Sequence, residues 1–86
     1  MAAPTVDWEQ VARTFVHQLK VAILDALEKD GGSPRSPIEL ARERGEEVNT
    51  LAYHFRGLAD EGLIEVAATE PRREAVEHFY RLKVEA

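Results

Sequence analysis

Cysteine is absent from this 86-residue sequence. That excludes disulfides, thiolate-bound metal and thiol catalysis, and it makes a reducing cytoplasm the expected home. Long apolar runs are missing too. The longest uninterrupted stretch is only a few residues, so no segment matches a membrane span. The first residues lack the basic-then-apolar layout of a signal peptide. A surplus of positive charge is the third thing lacking: eleven Lys and Arg stand against sixteen Asp and Glu, for a net charge of −5. The deficit is spread along the chain, with three positive against five negative charges in residues 1–34, four against six in 35–62, and four against five in 63–86. No segment is a basic arm. Any binding to nucleic acid must rest on a few placed side chains, because local arrangement governs contact while net charge governs long-range steering.

Catalytic signatures are missing as well. Ser33 and Ser36 lie in a proline-containing loop without the Gly-x-Ser-x-Gly turn of a nucleophile elbow. There is no Gly-rich phosphate loop, and the carboxylates fall mostly on exposed faces beside Arg or Lys. His17, His54 and His78 have no ligand-like spacing on one helix, whereas zinc needs three or four convergent ligands. The sequence therefore predicts no enzyme, no metal and no cofactor. His54, beside an apolar Phe55, reads as a partly packed residue.

What is present is the material of one small domain, expected to span residues 1–86. Apolar residues make up 44% and charged residues 31%, a balance that argues against disorder. A chain this short buries only about 60% of its unfolded surface and often leans on a partner. The first expected unit is a helix or helix pair over residues 7–30. Asp7 can cap it, with Gln10 three residues on, and Trp8, Val11, Phe15, Leu19, Ala22, Ile23, Ala26 and Leu27 recur at helical spacing. Asp30-Gly31-Gly32 ends it. One helix over 8–29 would be about 33 Å long, more than the depth of so small a domain. Either it breaks near His17 or its first half overhangs the core.

A helix-turn-helix is expected over residues 36–62. Ser36-Pro37-Ile38-Glu39 combines a serine cap, a proline in the first turn and a glutamate three residues after the cap, and Gly45 stops the short helix 37–44. A second helix over 48–61 carries Leu51, Phe55 and Leu58 as its buried stripe, and Gly62 closes it. The period then changes. Residues 63–69 and 75–82 are rich in β-branched and aromatic side chains, and between them lies the polar turn Glu70-Pro71-Arg72-Arg73-Glu74. The expected fold is mainly α with a small β-hairpin over 63–82, the order of a winged helix-turn-helix. Its second motif helix would turn Asn49, Thr50, Tyr53 and Arg56 outward, where Asn can bond adenine, Thr can meet a thymine methyl or a phosphate, and Arg can bond guanine or phosphate. Arg72 and Arg73 at the hairpin tip suit a minor groove or the phosphate backbone.

Residues 36–82 resemble the arsenical-resistance-repressor (ArsR) family and its actinobacterial winged-helix relatives. Ser36-Pro37-Ile38-Glu39-Leu40-Ala41 resembles the family's first motif helix. Tyr53-His54-Phe55-Arg56-Gly57-Leu58, continuing to Glu61-Gly62-Leu63-Ile64, is similar to its recognition helix and the start of its wing. His78-Phe79-Tyr80-Arg81-Leu82 resembles the second wing strand. The resemblance implies a cytoplasmic, homodimeric, DNA-binding repressor or regulator. Metal-sensing members carry cysteines near the start of the motif, so that sensing mode does not transfer to a chain without any. Members also continue past the wing with a dimerising helix, whereas this sequence runs only about four residues beyond Leu82. Dimerisation is therefore expected through the surplus length of the first helix, at Trp8, Val11 and Phe15.

Two functions compete on this reading. The first is sequence-specific binding of double-stranded DNA by a homodimeric transcriptional regulator. The second is a winged helix used for protein–protein contact without DNA. The net acidity and the pair Glu46-Glu47 favour the second, since carboxylates suit a helix N-terminus but oppose a phosphate approaching it.

Overall fold

The computed structural model describes residues 5–29 and 31–83. Asp30, one residue of the expected helix stop, lies outside the described residues, as do both extreme ends of the expected 1–86 domain. The described chain forms helices α1 (Trp8–Glu28), α2 (Pro37–Arg44) and α3 (Val48–Asp60), then strands β1 (Ile64–Pro71) and β2 (Val76–Leu82). This is a winged helix-turn-helix.

Helix α1 starts where the Asp7 carboxylate accepts the Gln10 N–H at 3.1 Å. It runs unbroken for 21 residues, with no interruption at His17. Of the two outcomes open at the sequence level, the overhang is the one that forms. Leu19, Ile23 and Leu27, four apart, face the core, while every residue from Trp8 to Phe15 is exposed. The overhang shows in the molecule's dimensions. Its radius of gyration is 15.5 Å, against about 12 Å expected for a compact chain of this length.

Helix α2 carries a complete capping box. The Ser36 hydroxyl accepts the Glu39 N–H at 3.2 Å and the Glu39 carboxylate accepts the Ser36 N–H at 3.0 Å. Pro37, Leu40 and Ala41 are buried, whereas Ile38 is only half-buried. Gly45 ends the helix in the left-handed region at φ 68°, and the Glu46 N–H then reaches back to the Ala41 carbonyl at 2.9 Å. That short stop sets α3 against α2. Leu51, Phe55 and Leu58 form the expected buried stripe, joined by His54.

The hairpin pairs Ile64 with Leu82 through to Pro71 with Val76, antiparallel, with an irregularity between Val66 and Ala68. Strand β1 extends through Glu70 and Pro71, further than the sequence predicts, and the Arg72 N–H to Ala75 carbonyl bond at 2.8 Å closes a tighter turn. Residues 33–36, expected as plain loop, contribute a bridge: Arg35 and Tyr80 exchange both backbone hydrogen bonds, at 2.9 and 2.8 Å. The wing is thus stapled to the segment leading into α2. One core joins Leu19, Ile23, Leu27, Leu40, Ala41, Leu51, Phe55, Leu58, Ile64 and Tyr80. Phe55 and Tyr80 pack with ring centroids 5.2 Å apart, so the second motif helix and the wing share a contact. Each fully buried Leu, Ile or Phe contributes roughly 1.5–3 kcal/mol relative to exposure. No helix of the described residues is long and apolar enough to cross a membrane.

Candidate nucleic-acid interface

Burying Leu51, Phe55 and Leu58 leaves the opposite face of α3 to solvent. Asn49, Tyr53 and Arg56 lie on it, exposed and spaced four and three apart. Tyr53 is 67% exposed and its ring meets His54 edge-on at 5.3 Å. Thr50 is half-buried, to one side of that face. Arg56 also lines a groove of about 380 Å³ between α2, α3 and β2, together with Ile38, Val48, Ala52, Val76 and His78. The free face of α3 and the wing therefore border one concavity. The Arg56 charge reaches Tyr80, whose phenol burial pushes above its usual value against that pull.

The acid pair at the start of α3 divides. Glu46 is drawn inward, its Oε1 held by Arg44 at 3.1 and 3.2 Å, and its Oε2 is buried without a hydrogen-bond partner. Glu47 is the N-cap residue, exposed, and makes no side-chain cap bond. Only Glu47 presents a free carboxylate at that helix end.

At the hairpin tip the two arginines differ. Arg73 is exposed and pairs with no carboxylate among the described residues. Arg72 is taken up by its own hairpin: its Nη2 lies 3.0 Å from Glu70 Oε2 and 2.7 Å from Glu77 Oε1, and its Nε donates to Glu77 at 2.8 Å. Glu77 is buried on β2 and also accepts the Ser36 hydroxyl of the α2 cap. The Ser36 hydroxyl, and after it the Arg72 guanidinium and the more distant Arg42 charge, hold the Glu77 carboxyl below the usual carboxylate range although burial opposes this.

Most remaining cations are neutralised: Arg13 by Glu9, Lys20 by Glu61, Lys29 by Asp25, Arg35 by Glu39 and Glu43, Arg81 by Glu65. Among the described residues, Arg42, Arg56, Arg73 and Lys83 carry no ion pair. Arg42 on α2 was missed at the sequence level. It has Glu39 three residues before it and Glu46 four after, either of which could claim it. Only the fold shows that Glu39 turns to Ser36 and Arg35, and Glu46 to Arg44. Glu77 was missed too, because nothing in a hairpin pattern marks one of its carboxylates as buried. Trp8, Val11 and Phe15, the expected dimer surface, are 73%, 48% and 53% exposed on the overhang of α1. No group of three or more His, Asp or Glu side chains converges as a metal site would require among the described residues.

A family model described as a helix-turn-helix domain matches residues 17–67, more than half of the chain. The chain belongs to the helix-turn-helix domain family. The match takes in the core half of α1, both motif helices and the start of the wing, and leaves the overhang outside it. No curated protein matches the chain. In a helix-turn-helix domain the second motif helix is the one that lies in the major groove, which makes α3 the candidate DNA-reading element.

Proposed function

We propose that this helix-turn-helix domain is a cytoplasmic transcriptional regulator, a homodimeric repressor of the ArsR-like kind, that binds double-stranded DNA through α3 and its wing. The observation that carries the reading is Arg56. It stands unpaired on the free face of α3, at the groove shared with the wing, in a chain whose cations are mostly neutralised. In the major groove, Asn49 and Arg56 would bond base edges, Thr50 and Tyr53 bases or phosphates, and Arg73 the backbone beside the wing. Two-fold pairing through Trp8, Val11 and Phe15 would offer two such helices to successive major grooves, about 34–36 Å apart.

Fluorescence anisotropy with a labelled duplex at low salt tests this directly. Binding is expected, and Arg56→Ala should weaken the preferred sequence by about 5- to 150-fold, the equivalent of roughly 1–3 kcal/mol per good base contact. Absence of duplex binding at low salt overturns the reading. The net charge of −5 and the uncapped Glu47 at the start of α3 favour the second function, protein–protein contact through the same face. Under that reading, no duplex would bind at any salt concentration.

A further inference from the structure

Glu70 and Glu77 stand directly opposite one another across the hairpin. Like charges at such a position repel and destabilise the pairing. Arg72 resolves the conflict by lying against both, and Glu77 is the stronger partner, holding two guanidinium nitrogens at 2.7 and 2.8 Å. Glu77 is 6% exposed, while the Glu70 side chain is 58% exposed. An exposed pair such as Arg72–Glu70 is worth little by itself, so Glu77 is what keeps Arg72 folded back. The other side of Glu77 accepts the Ser36 hydroxyl, which at the same time caps α2 through the Glu39 N–H. One buried carboxylate thus joins the first motif helix to the tip of the wing.

We propose that Glu77 is a positioning residue of the DNA-binding surface: it withholds Arg72 from phosphate, so that the wing offers Arg73 alone. The inference rests on the DNA-binding reading above. Its physical content is a competition. A phosphate approaching the tip meets Arg73 unpaired, but must displace two charge-assisted hydrogen bonds to recruit Arg72. The wing contact stays small, which suits a regulator that must leave non-specific DNA readily. The sequence suggests two equivalent arginines at the tip, and the geometry makes them unequal.

The test is the salt dependence of duplex binding. Glu77→Gln keeps the shape and an acceptor oxygen while removing the charge, and so frees Arg72. Binding to all sequences should tighten, and the plot of log affinity against log salt should steepen by about 0.9, the increment for one added phosphate contact. Adding Arg72→Gln to Glu77→Gln should abolish that gain. Mere loosening of the wing would weaken binding without steepening the slope. Equal slopes for wild type and Glu77→Gln, or a gain that survives Arg72→Gln, overturn the inference and leave the DNA-binding reading intact. Wild type that binds no duplex at low salt removes that reading, and this inference with it. A second measurement needs only the wild-type protein: the Arg72 Nε–H should exchange with water more slowly than that of Arg73, and equal exchange would overturn the proposal.

Discussion

Gly57 sits in the middle of α3, and a Cβ built there meets no atom within 4 Å. Glycine inside a helix costs about 0.5–1 kcal/mol relative to alanine, through the backbone freedom it loses. Nothing inside the described chain requires it. Gly57→Ala is therefore expected to stabilise the isolated protein by about that amount and to raise its melting temperature by about 2–8 °C. A thermal melt with unchanged or lower midpoint would show that the space is occupied. Glu77 supplies a prediction of a different kind. Its carboxyl is held below the usual range in the folded state by Ser36 and Arg72. A depressed folded value means that its contribution to stability is complete above the unfolded carboxylate value of about 4.3 and is lost as pH falls through the folded one. Urea melts between neutral and strongly acid pH should show a smaller acid loss for Glu77→Gln than for wild type. Identical acid profiles would mean that Glu77 titrates as a free carboxylate.

At the scale of elements, the helices follow from local chemistry and their environments do not. The capping box of α2, the stop at Gly45 and the stripe Leu51, Phe55, Leu58 are properties of short sequence windows, and each appears where the pattern places it. Leu58→Ala should cost about 2–5 kcal/mol, the range for emptying a buried leucine site. A melting curve left untouched would contradict its burial. Helix α1 is the contrasting case. One periodic stripe runs its whole length, but only Leu19, Ile23 and Leu27 meet the core, because the domain is shorter than the helix. Trp8, Val11 and Phe15 continue the stripe with nothing among the described residues to cover them. Substituting Trp8→Ser together with Phe15→Ser should convert a dimer to a monomer by light scattering without lowering helix content. Wild type already monomeric, or a variant of unchanged mass, would remove this surface from the interface.

For the whole molecule, the acidic balance and the DNA-binding reading are compatible only through pairing. With five more carboxylates than cations overall, long-range attraction to a polyanion is weak, and affinity depends on the few cations the fold leaves unneutralised. Arg56 and Arg73, from α3 and the wing, are two of these, whereas the Arg42 charge on α2 makes no ion pair but acts on the buried Glu77 carboxylate. Arg73→Ala should flatten the salt dependence of duplex binding by about 0.9 in logarithmic slope and weaken all sequences alike, since phosphate contacts carry no base information. Arg56→Ala should instead relax preference among sequences. If both variants lost affinity in the same sequence-independent way, Arg56 would be a phosphate contact rather than a reader of bases.

Residue order alone determined the three helices, the caps of α1 and α2, the glycine stops, the hairpin and most of the core, because each depends on propensity, periodicity or hydrogen bonds reaching a few residues along the chain. The outward set Asn49, Tyr53 and Arg56 was legible for the same reason: it is what remains of a helix once its apolar stripe is buried. Pairing of charges was decided by tertiary structure. Ser36 and Glu77 are 41 residues apart and meet at the junction of α2 and β2, and the Arg35–Tyr80 bridge joins segments that no local pattern connects. A carboxylate finds its cation through whichever chain folds beside it, so Arg72 is bound and Arg73 free only once the wing has closed against the motif.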